Sequence, residues 1–366
     1  MDVCWRYIPA ARNSYAALYA ACEREGFVLR PVDTPQGDVT CYSLNSLNAH
    51  QYIPEMKRAP CITIAGGPHA TACYAEIASI ADYVVVGEGE YTLPALLASI
   101  ENRSPLPRGV ATRESYSCAD TCVRLDAFPA FSRMKGYIEI SRGCPHACTY
   151  CQTPRIFGPA MRHRSIDAIV GAARKFRDAR FVTPNALAYG SDGIHPRLDK
   201  VRSLLSALRY PGQKIWFGTF PSEVRPEWIT EEALDLVTTY CSNRRLHFGA
   251  QSGSNRVLSM LQRGHTVEDA ERAIDLIVDA GLTPVVDFIV GLPCETEEDQ
   301  EMTAAFIRWT ASRGQVHVHR FIPLPGTPLA GLPPRPLIPG LESLLGNLAL
   351  RGKLTGTWRD RTKSFF

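Results

Sequence analysis

The segment Ile140-Ser141-Arg142-Gly143-Cys144-Pro145-His146-Ala147-Cys148-Thr149-Tyr150-Cys151 carries three cysteines in the pattern C-x3-C-x2-C. It follows an apolar run, 136–140, that reads as a strand. Three thiolates on one short loop can converge on one iron–sulfur cluster, because soft thiolate ligands suit such clusters. Three ligands leave one iron of a four-iron cluster without a cysteine, and that open position is where chemistry can happen. The competing reading is a zinc site completed by His146 or His163. Zinc loops usually come as paired C-x2-C units, and no second pair follows this loop.

Working outward, strand and helix patterns alternate on both sides of the loop. Downstream, strands are predicted at 136–140, 181–183, 215–218, 246–250, 285–290 and 316–321, with helices at 165–177, 198–209, 230–239, 255–261, 267–280 and 296–312. Six βα steps are two short of an eight-fold barrel, so a partial (β/α)6 barrel is expected over 136–328. Upstream, strands are predicted at 3–8, 27–31, 39–44, 61–65 and 83–86, and helices at 14–26, 50–58, 70–80 and 91–100. Short apolar runs alternating with helices predict a parallel, doubly wound sheet with both faces covered. The fold class is therefore α/β, with a Rossmann-like domain over 1–105, a linker over 106–135 rich in Pro and polar residues, the barrel, and a C-terminal extension over 329–366. One helix is expected in that extension, near 341–350.

Composition narrows the function. The chain has 366 residues, 45% hydrophobic and 21% charged, with a formal net charge of +3. Near-neutrality gives no support to a general nucleic-acid binder. No apolar run reaches the length of a membrane helix, and Met1-Asp2-Val3-Cys4-Trp5-Arg6 does not resemble a secretory leader; a cytoplasmic protein is expected. Twelve cysteines are too few for a disulfide scaffold. Outside the triplet most read as buried thiols, and Cys118 and Cys122 as incidental.

The loop and the segments after it resemble the radical S-adenosylmethionine (SAM) superfamily. Gly249-Ala250-Gln251-Ser252-Gly253-Ser254 is similar to the fourth-strand motif, with Gln251 where Glu is usual. Arg263-Gly264-His265-Thr266 follows it. Phe288-Ile289-Val290-Gly291-Leu292-Pro293 resembles the fifth-strand glycine motif, and Leu324-Pro325-Gly326-Thr327-Pro328 the end of the sixth strand. The resemblance covers roughly 137–328. It implies that Cys144, Cys148 and Cys151 hold a [4Fe-4S] cluster whose open iron chelates S-adenosylmethionine, and that one-electron cleavage gives a 5′-deoxyadenosyl radical. It also implies that the backbone of Tyr150 faces the adenine. Gly190, Gln251, Ser252, Arg263, Ile289, Gly291 and Leu324 would line the rest of the cofactor, with Ser222 and Glu223 in the same region. The second-strand Gly-Gly-Glu is replaced by Gly190-Ser191-Asp192, so Asp192 is expected to meet the methionine amine, with a plain turn acid as its other reading, and Ser191 to lie at the cofactor.

A doubly wound sheet ahead of such a barrel resembles the cobalamin-binding branch of that superfamily. Three strand ends carry the likeness: Ser43-Leu44-Asn45, Gly66-Gly67-Pro68-His69 and Gly87-Glu88-Gly89-Glu90. Ligands of open α/β sheets sit outside the carboxyl ends of the strands. No Asp-x-His-x-x-Gly motif is present, so His69 is expected to line the site or cap a helix rather than bind cobalt. The resemblance implies a C-methyltransferase in which methylcobalamin supplies the methyl group to a substrate radical. The sheet edge and the barrel mouth would face the substrate, with Gln152, Thr153, Pro154 and Arg155 close by. Segments 184–193 and 217–226 resemble a subgroup from methane-producing archaea. That implies a protein or peptide substrate, with a glutamine of methyl-coenzyme M reductase as candidate, post-translational modification as the outcome, and an external electron donor. A basic tail (Arg351, Lys353, Arg359, Arg361, Lys363) would help docking, or be only a solvated surface. Other readings are a cobalamin-using radical enzyme of another reaction type (rearrangement, oxidation or methylthiolation) and a non-catalytic iron–sulfur sensor. A methylthiotransferase would need three more cluster cysteines from Cys4, Cys22, Cys41, Cys61 and Cys73.

Overall fold

Near the N-terminus, runs rich in Val, Ile, Cys and Tyr bury both faces and become parallel strands, as expected for residues that pack well on a covered sheet. The computed structural model describes residues 1–359. Its first unit comprises Met1–Ile138 together with Arg155–Gly158 and Leu324–Gly326; the second holds the rest of the described chain. In the first unit the elements run β1 (Val3–Arg6), α1 (Arg12–Arg24), β2 (Arg30–Val32), β3 (Val39–Ser43), α2 (Ala49–Met56), β4 (Ile62–Gly66), α3 (Pro68–Ala72), α4 (Tyr74–Ile77), β5 (Tyr83–Val85), α5 (Gly89–Asn102) and β6 (Val110–Ala111). The sheet order is β2-β1-β3-β4-β5-β6, with only β6 antiparallel. Trp5, Tyr15, Leu29, Cys41 and Ile64 fill one side of this sheet, and Tyr42, Leu44, Ala65 and Val84 the other.

Two expectations need correction here. The single helix predicted at 70–80 is split, because Cys73 leaves the helical region (φ −113°, ψ 33°) between α3 and α4. The linker expected over 106–135 is a folded part of the first unit. It supplies the edge strand β6, and Val123 and Phe128 bury against Ala21 of α1.

The second unit is the barrel. Its elements are β7 (Ile138–Glu139, whose first residue groups with the first unit), β8 (Ser141–Arg142), α6 (Thr153–Phe157, which groups with the first unit from Arg155 on), β9 (Arg162–His163), α7 (Ile166–Ala173), β10 (Asp178–Val182), α8 (Leu198–Ala207), β11 (Lys214–Trp216), α9 (Glu231–Tyr240) and β12 (Arg245–Gln251). They continue with α10 (Asn255–Met260), α11 (Val267–Asp279), β13 (Thr283–Val290), α12 (Glu297–Arg313), β14 (Gln315–Arg320), α13 (Pro339–Leu350) and β15 (Leu354–Thr355). The strands form two arcs, β11-β10-β7 and β12-β13-β14-β15, joined by a bridge between Val224 and Phe248. β8 and β9 pair antiparallel and bracket the cysteine loop.

The six predicted barrel strands are present, each within a few residues of its expected place. The extension expected from 329 onward is instead a further βα step. α13 packs against α12, and β15 adds to β14 in parallel register, Val316 opposite Leu354. Buried Leu341, Leu345 and Leu354 explain why this segment returns to the barrel. Of the basic residues expected to form a tail, Arg351, Lys353 and Arg359 are exposed, while Arg361 and Lys363 lie outside the described residues. Among the described residues no helix is long and apolar enough to cross a membrane.

Helix starts fix the turns around the barrel mouth. Thr266 with Asp269, and Thr296 with Asp299, form reciprocal capping boxes on α11 and α12. At the carboxyl end of β13, Glu295 accepts the N–H groups of Gly291 (3.0 Å) and Leu292 (3.1 Å) through one oxygen. Burial pushes the Glu295 carboxyl up to about 7, and those two N–H groups offset the shift only in part. A carboxyl raised in the folded state stabilises the fold below its unfolded value, and that contribution is lost as pH rises through about 7. Glu295→Gln is expected to flatten the urea stability profile between pH 5 and 8. An unchanged slope would contradict this role.

Candidate functional site

The cysteine loop is held by two neighbouring segments. The His146 ring donates through Nε2 to the carbonyl of Gly193 (3.2 Å), and the N–H of Thr149 donates to the carbonyl of Leu261 (3.1 Å). Gly193 has no room for a side chain, since a Cβ there would lie 2.7 Å from the Pro145 ring. Cys144, Cys148 and Cys151 all line one cavity of about 230 Å³. Burial pushes the Cys144 thiol up, so a metal centre would have to displace its proton. Three thiols around a cavity fit a cluster. Among the described residues no three His, Cys, Asp or Glu side chains are close enough to hold a single ion. His163 is not free for zinc: Nδ1 bonds Ser141 Oγ (2.8 Å) and Nε2 the carbonyl of Ser191 (2.7 Å).

Of the residues predicted for the cofactor, Tyr150, Glu223, Gln251 and Arg263 line this cavity, as do Thr153 and Pro154. Gln251 ends β12 at a register shift, with φ 71°, a left-handed conformation that is uncommon for a side-chain-bearing residue. Such local strain clusters at ligand sites. Arg263 is buried; Nη1 lies 3.8 Å from Cys148 Sγ and Nη2 donates to the carbonyl of Gly249 (3.1 Å). Its Nε is buried without a partner, a donor left over for a bound group. Tyr150 and Ile289 pack into one apolar cluster with Val257, Leu261, Leu292 and Phe321; Tyr150 also lines the cavity, and Ile289 does not.

Several predicted residues do other work. Asp192 faces solvent and accepts from the N–H groups of Ile194 (2.8 Å) and His195 (2.7 Å), so it is a turn acid. Ser191 Oγ donates to the carbonyl of Ala188. Ser222 Oγ donates to the carbonyl of Thr219, and Ser252 Oγ bonds Thr303 Oγ1 of α12. Gly190 packs on Lys200 and Gly291 on Arg320 and Arg335; neither lines the cavity. Leu324 and Arg155 group with the first unit, and Gln152 is absent from the lining.

Sequence reasoning missed Asn185, His146 as a loop anchor, and Arg225. Arg225 is buried on the cavity wall, paired with Glu227 and bonded to the carbonyl of Arg263. Burial, then the nearby Arg225 and Arg263, push the His146 ring down to about 4 and keep it neutral. Both Asn185 and Arg225 lie in segments that stand out by composition, Pro184-Asn185 and Glu223-Val224-Arg225-Pro226, where Pro on either side of a polar residue signals a shaped loop.

In the first unit, the predicted strand ends do meet at the carboxyl edge. The N–H of Leu44 donates to the carbonyl of Gly66 (2.8 Å), and that of His69 to the carbonyl of Leu44 (3.0 Å). Gly67 (φ 92°) approaches so closely that a Cβ would lie 2.7 Å from the Leu44 carbonyl oxygen. Asn45 turns inward to cap the N–H groups of Leu47 and Asn48. His69 Nδ1 lies 3.3 Å from Ser46 Oγ, and burial pushes its ring down, so it is neutral at the helix start. Gly87 is open, with nothing within 4 Å of where a Cβ would sit. Glu88 accepts the N–H of Val123 (2.9 Å), and Gly89 is needed for packing on Leu18. These two are structural in this arrangement, whereas Ser43, Leu44, Asn45, Gly66, Gly67, His69 and Gly87 frame the sheet edge.

Residues 138–307 match the radical SAM superfamily model. A domain of that family would hold a [4Fe-4S] cluster and S-adenosylmethionine, and the three-cysteine cavity lies within the matched residues. An uncharacterized protein of Methanopyrus kandleri is 27% identical over 332 residues, covering 74% of this chain and 62% of its own length. The tRNA-2-methylthio-N(6)-dimethylallyladenosine synthase of Aquifex aeolicus is 32% identical over 205 residues, covering 53% of this chain and 44% of its own. The chain thus spans less than two thirds of these relatives. The fold is shared with the radical S-adenosylmethionine methyltransferase TsrM from Kitasatospora setae, solved with cobalamin and a [4Fe-4S] cluster. That likeness has a TM-score of 0.68 at 16% identity and covers 90% of this chain and 74% of TsrM.

The placement of Asp192 gives a direct test. Asp192→Asn in the cluster-loaded protein is expected to leave S-adenosylmethionine affinity within about twofold, measured by equilibrium dialysis. A tenfold loss would return Asp192 to the site.

Proposed function

We propose that this chain is a cobalamin-dependent radical SAM C-methyltransferase. The observation that carries the reading is the three-cysteine cavity in a chain whose fold follows a cobalamin-binding methyltransferase along 90% of its length. When bound, the cluster and S-adenosylmethionine supply a carbon-centred radical that removes hydrogen from a C–H bond, and cobalamin supplies the methyl group that replaces it.

The chain's own residues bind, orient and screen. Cys144, Cys148 and Cys151 hold the cluster. Arg263 sets a fixed positive charge beside Cys148. Gln251 and the donors of Arg225 and Arg263 face the cavity and suit the polar parts of S-adenosylmethionine. Tyr150 lines the wall, with Ile289 in the apolar cluster it packs on. In the first unit, the close turn at Gly67 and the open Gly87 leave a flat edge of backbone for a large planar ring, with His69 and Asn45 beside it. The neutral His69 ring, at a helix start, is taken as lining this edge and not as a cobalt ligand.

The relative's methylthio transfer is the second reading. Cys4 and Cys41 lie inside strands and Cys22 inside α1, each 0–1% exposed in a packed core. Thiols in those places serve packing, which favours methylation over methylthiolation. The acceptor is taken to be a protein or peptide, with a glutamine peptide from methyl-coenzyme M reductase the first to try, and electrons come from an external donor.

The deciding experiment is an anaerobic reconstitution with iron, sulfide and hydroxocobalamin, followed by a reduced assay with methyl-deuterated S-adenosylmethionine. Mass spectrometry should find 5′-deoxyadenosine, S-adenosylhomocysteine and labelled methylcobalamin. Deoxyadenosine with cobalamin bound but never labelled would overturn methyl transfer.

A further inference from the structure

The last strand pairing of the barrel repeats one side-chain arrangement twice. β14 reads Gln-Val-His-Val-His-Arg, and residues two apart on a strand share a face. Val316 and Val318 are buried, so His317 and His319 lie together on the other face, the first half-buried and the second exposed. Opposite them runs Thr355-Gly356-Thr357, with His317 in register with Thr355. The pairing continues past the end of β15, since the N–H of Arg320 donates to the carbonyl of Thr357 (3.0 Å). His317 Nδ1 is bonded to Thr355 Oγ1 (2.7 Å), and His319 Nδ1 to Thr357 Oγ1 (3.0 Å). Glycine at 356 allows this approach. Its φ is 103°, and a Cβ there would collide with the Val318 carbonyl.

The two hydroxyls hold each ring by one nitrogen and leave the other open. Among the described residues neither Nε2 has a hydrogen-bond partner. His146, His163 and His265 differ, because each bonds a main-chain carbonyl through Nε2. The His317 and His319 ring centroids are 4.5 Å apart, with planes at 77°. Two imidazoles on one ion, each bound at about 2.0–2.1 Å, have centroids roughly 4.5–5.2 Å apart for ligand angles of about 90–110°. The observed separation sits at the short end of that range. Ligating histidines also tend to have the second ring nitrogen held by an outer partner, which fixes the tautomer. With the proton on Nδ1 and the threonine oxygen accepting, each Nε2 presents a lone pair. Burial pushes both rings down, so both are neutral near pH 7 and carry no proton for a metal to displace.

We propose that His317 and His319 chelate a divalent transition-metal ion through their Nε2 atoms, with Thr355 and Thr357 as positioning residues that hold the rings. Imidazole donors suit nickel, copper and zinc. No third His, Cys, Asp or Glu among the described residues completes the set, so the other positions belong to water or to an oxygen of a bound ligand. Neither histidine lines the three-cysteine cavity, so the site is separate from the cluster and does not depend on the function proposed above.

The test uses the full, untagged chain, anaerobically loaded with its cluster so that the three cysteines are occupied. Cys118→Ser and Cys122→Ser are present throughout, to remove the two exposed thiols as competing ligands. Ni(II) is titrated calorimetrically into this protein and into the same protein carrying His317→Ala, His319→Ala, Thr355→Val or Thr355→Ser. Iron content and cluster absorbance check that each is folded, and either histidine variant that passes is sufficient. The expected result is one Ni(II) per chain, with affinity reduced about tenfold or more by either histidine substitution. Thr355→Val should weaken binding and Thr355→Ser should restore it, because serine keeps the hydroxyl; a purely packing role for Thr355 would not follow that order. Binding by the unsubstituted site no tighter than by the histidine variants, or no saturable binding at all, would overturn the proposal. Equal affinity in Thr355→Val and Thr355→Ser would overturn the positioning role of the hydroxyl.

Discussion

The geometry of the second unit depends on one constraint: three thiols from a single loop must face one point above the end of β7. A loop this long would ordinarily be mobile. Here β8 and β9 close it at its base, Gly193 supports it from the β10 side, and Leu261 and Gln262 receive it after β12. The turns that provide this support are themselves fixed. Gly253 lies against the backbone of α12, where a Cβ would come within 2.7 Å of the Met302 carbonyl oxygen, and Ser254 bonds Asp299 of the α12 capping box (2.6 Å). The helix caps, the small turn residues and the cysteine loop thus form one connected support.

Electrostatics divide the cavity. Arg225 and Arg263 are both buried on its wall, and Cys148 lies against Arg263. Guanidinium groups stay charged in any such setting, so they can balance thiolates and a bound carboxylate. Glu223 on the same wall is an acidic side chain, of the opposite sign. A cavity that presents both signs, and keeps His146 neutral, is suited to a ligand with separated charges more than to a purely apolar one.

Much of this was legible in the sequence, for reasons that can be named. The cysteine spacing fixed the chemistry because ligands on one short loop must act together. Strand and helix alternation gave the barrel and the doubly wound sheet because buried parallel strands leave continuous apolar runs. Side-chain direction was not legible. Asp192 sits in the expected loop, yet its carboxylate satisfies two N–H groups of its own turn. Glu88 is taken up differently, accepting the N–H of the sequence-distant Val123. Short Asx-type bonds compete with ligands for such acids, and sequence position cannot decide that contest. Asp287 did leave a signal, a single acid in a run of β-branched and aromatic residues. β15 was missed because two residues carry almost no periodicity.

The central claim is that Cys144, Cys148 and Cys151 hold a four-iron cluster with one iron left open to S-adenosylmethionine. Electron paramagnetic resonance of the reduced, reconstituted protein, before and after adding S-adenosylmethionine labelled with 17O in its carboxylate, tests it most directly. The account predicts about four irons per chain, a changed signal on addition, and hyperfine coupling to the label. A full cluster whose signal is unaltered, with no coupling, would contradict it.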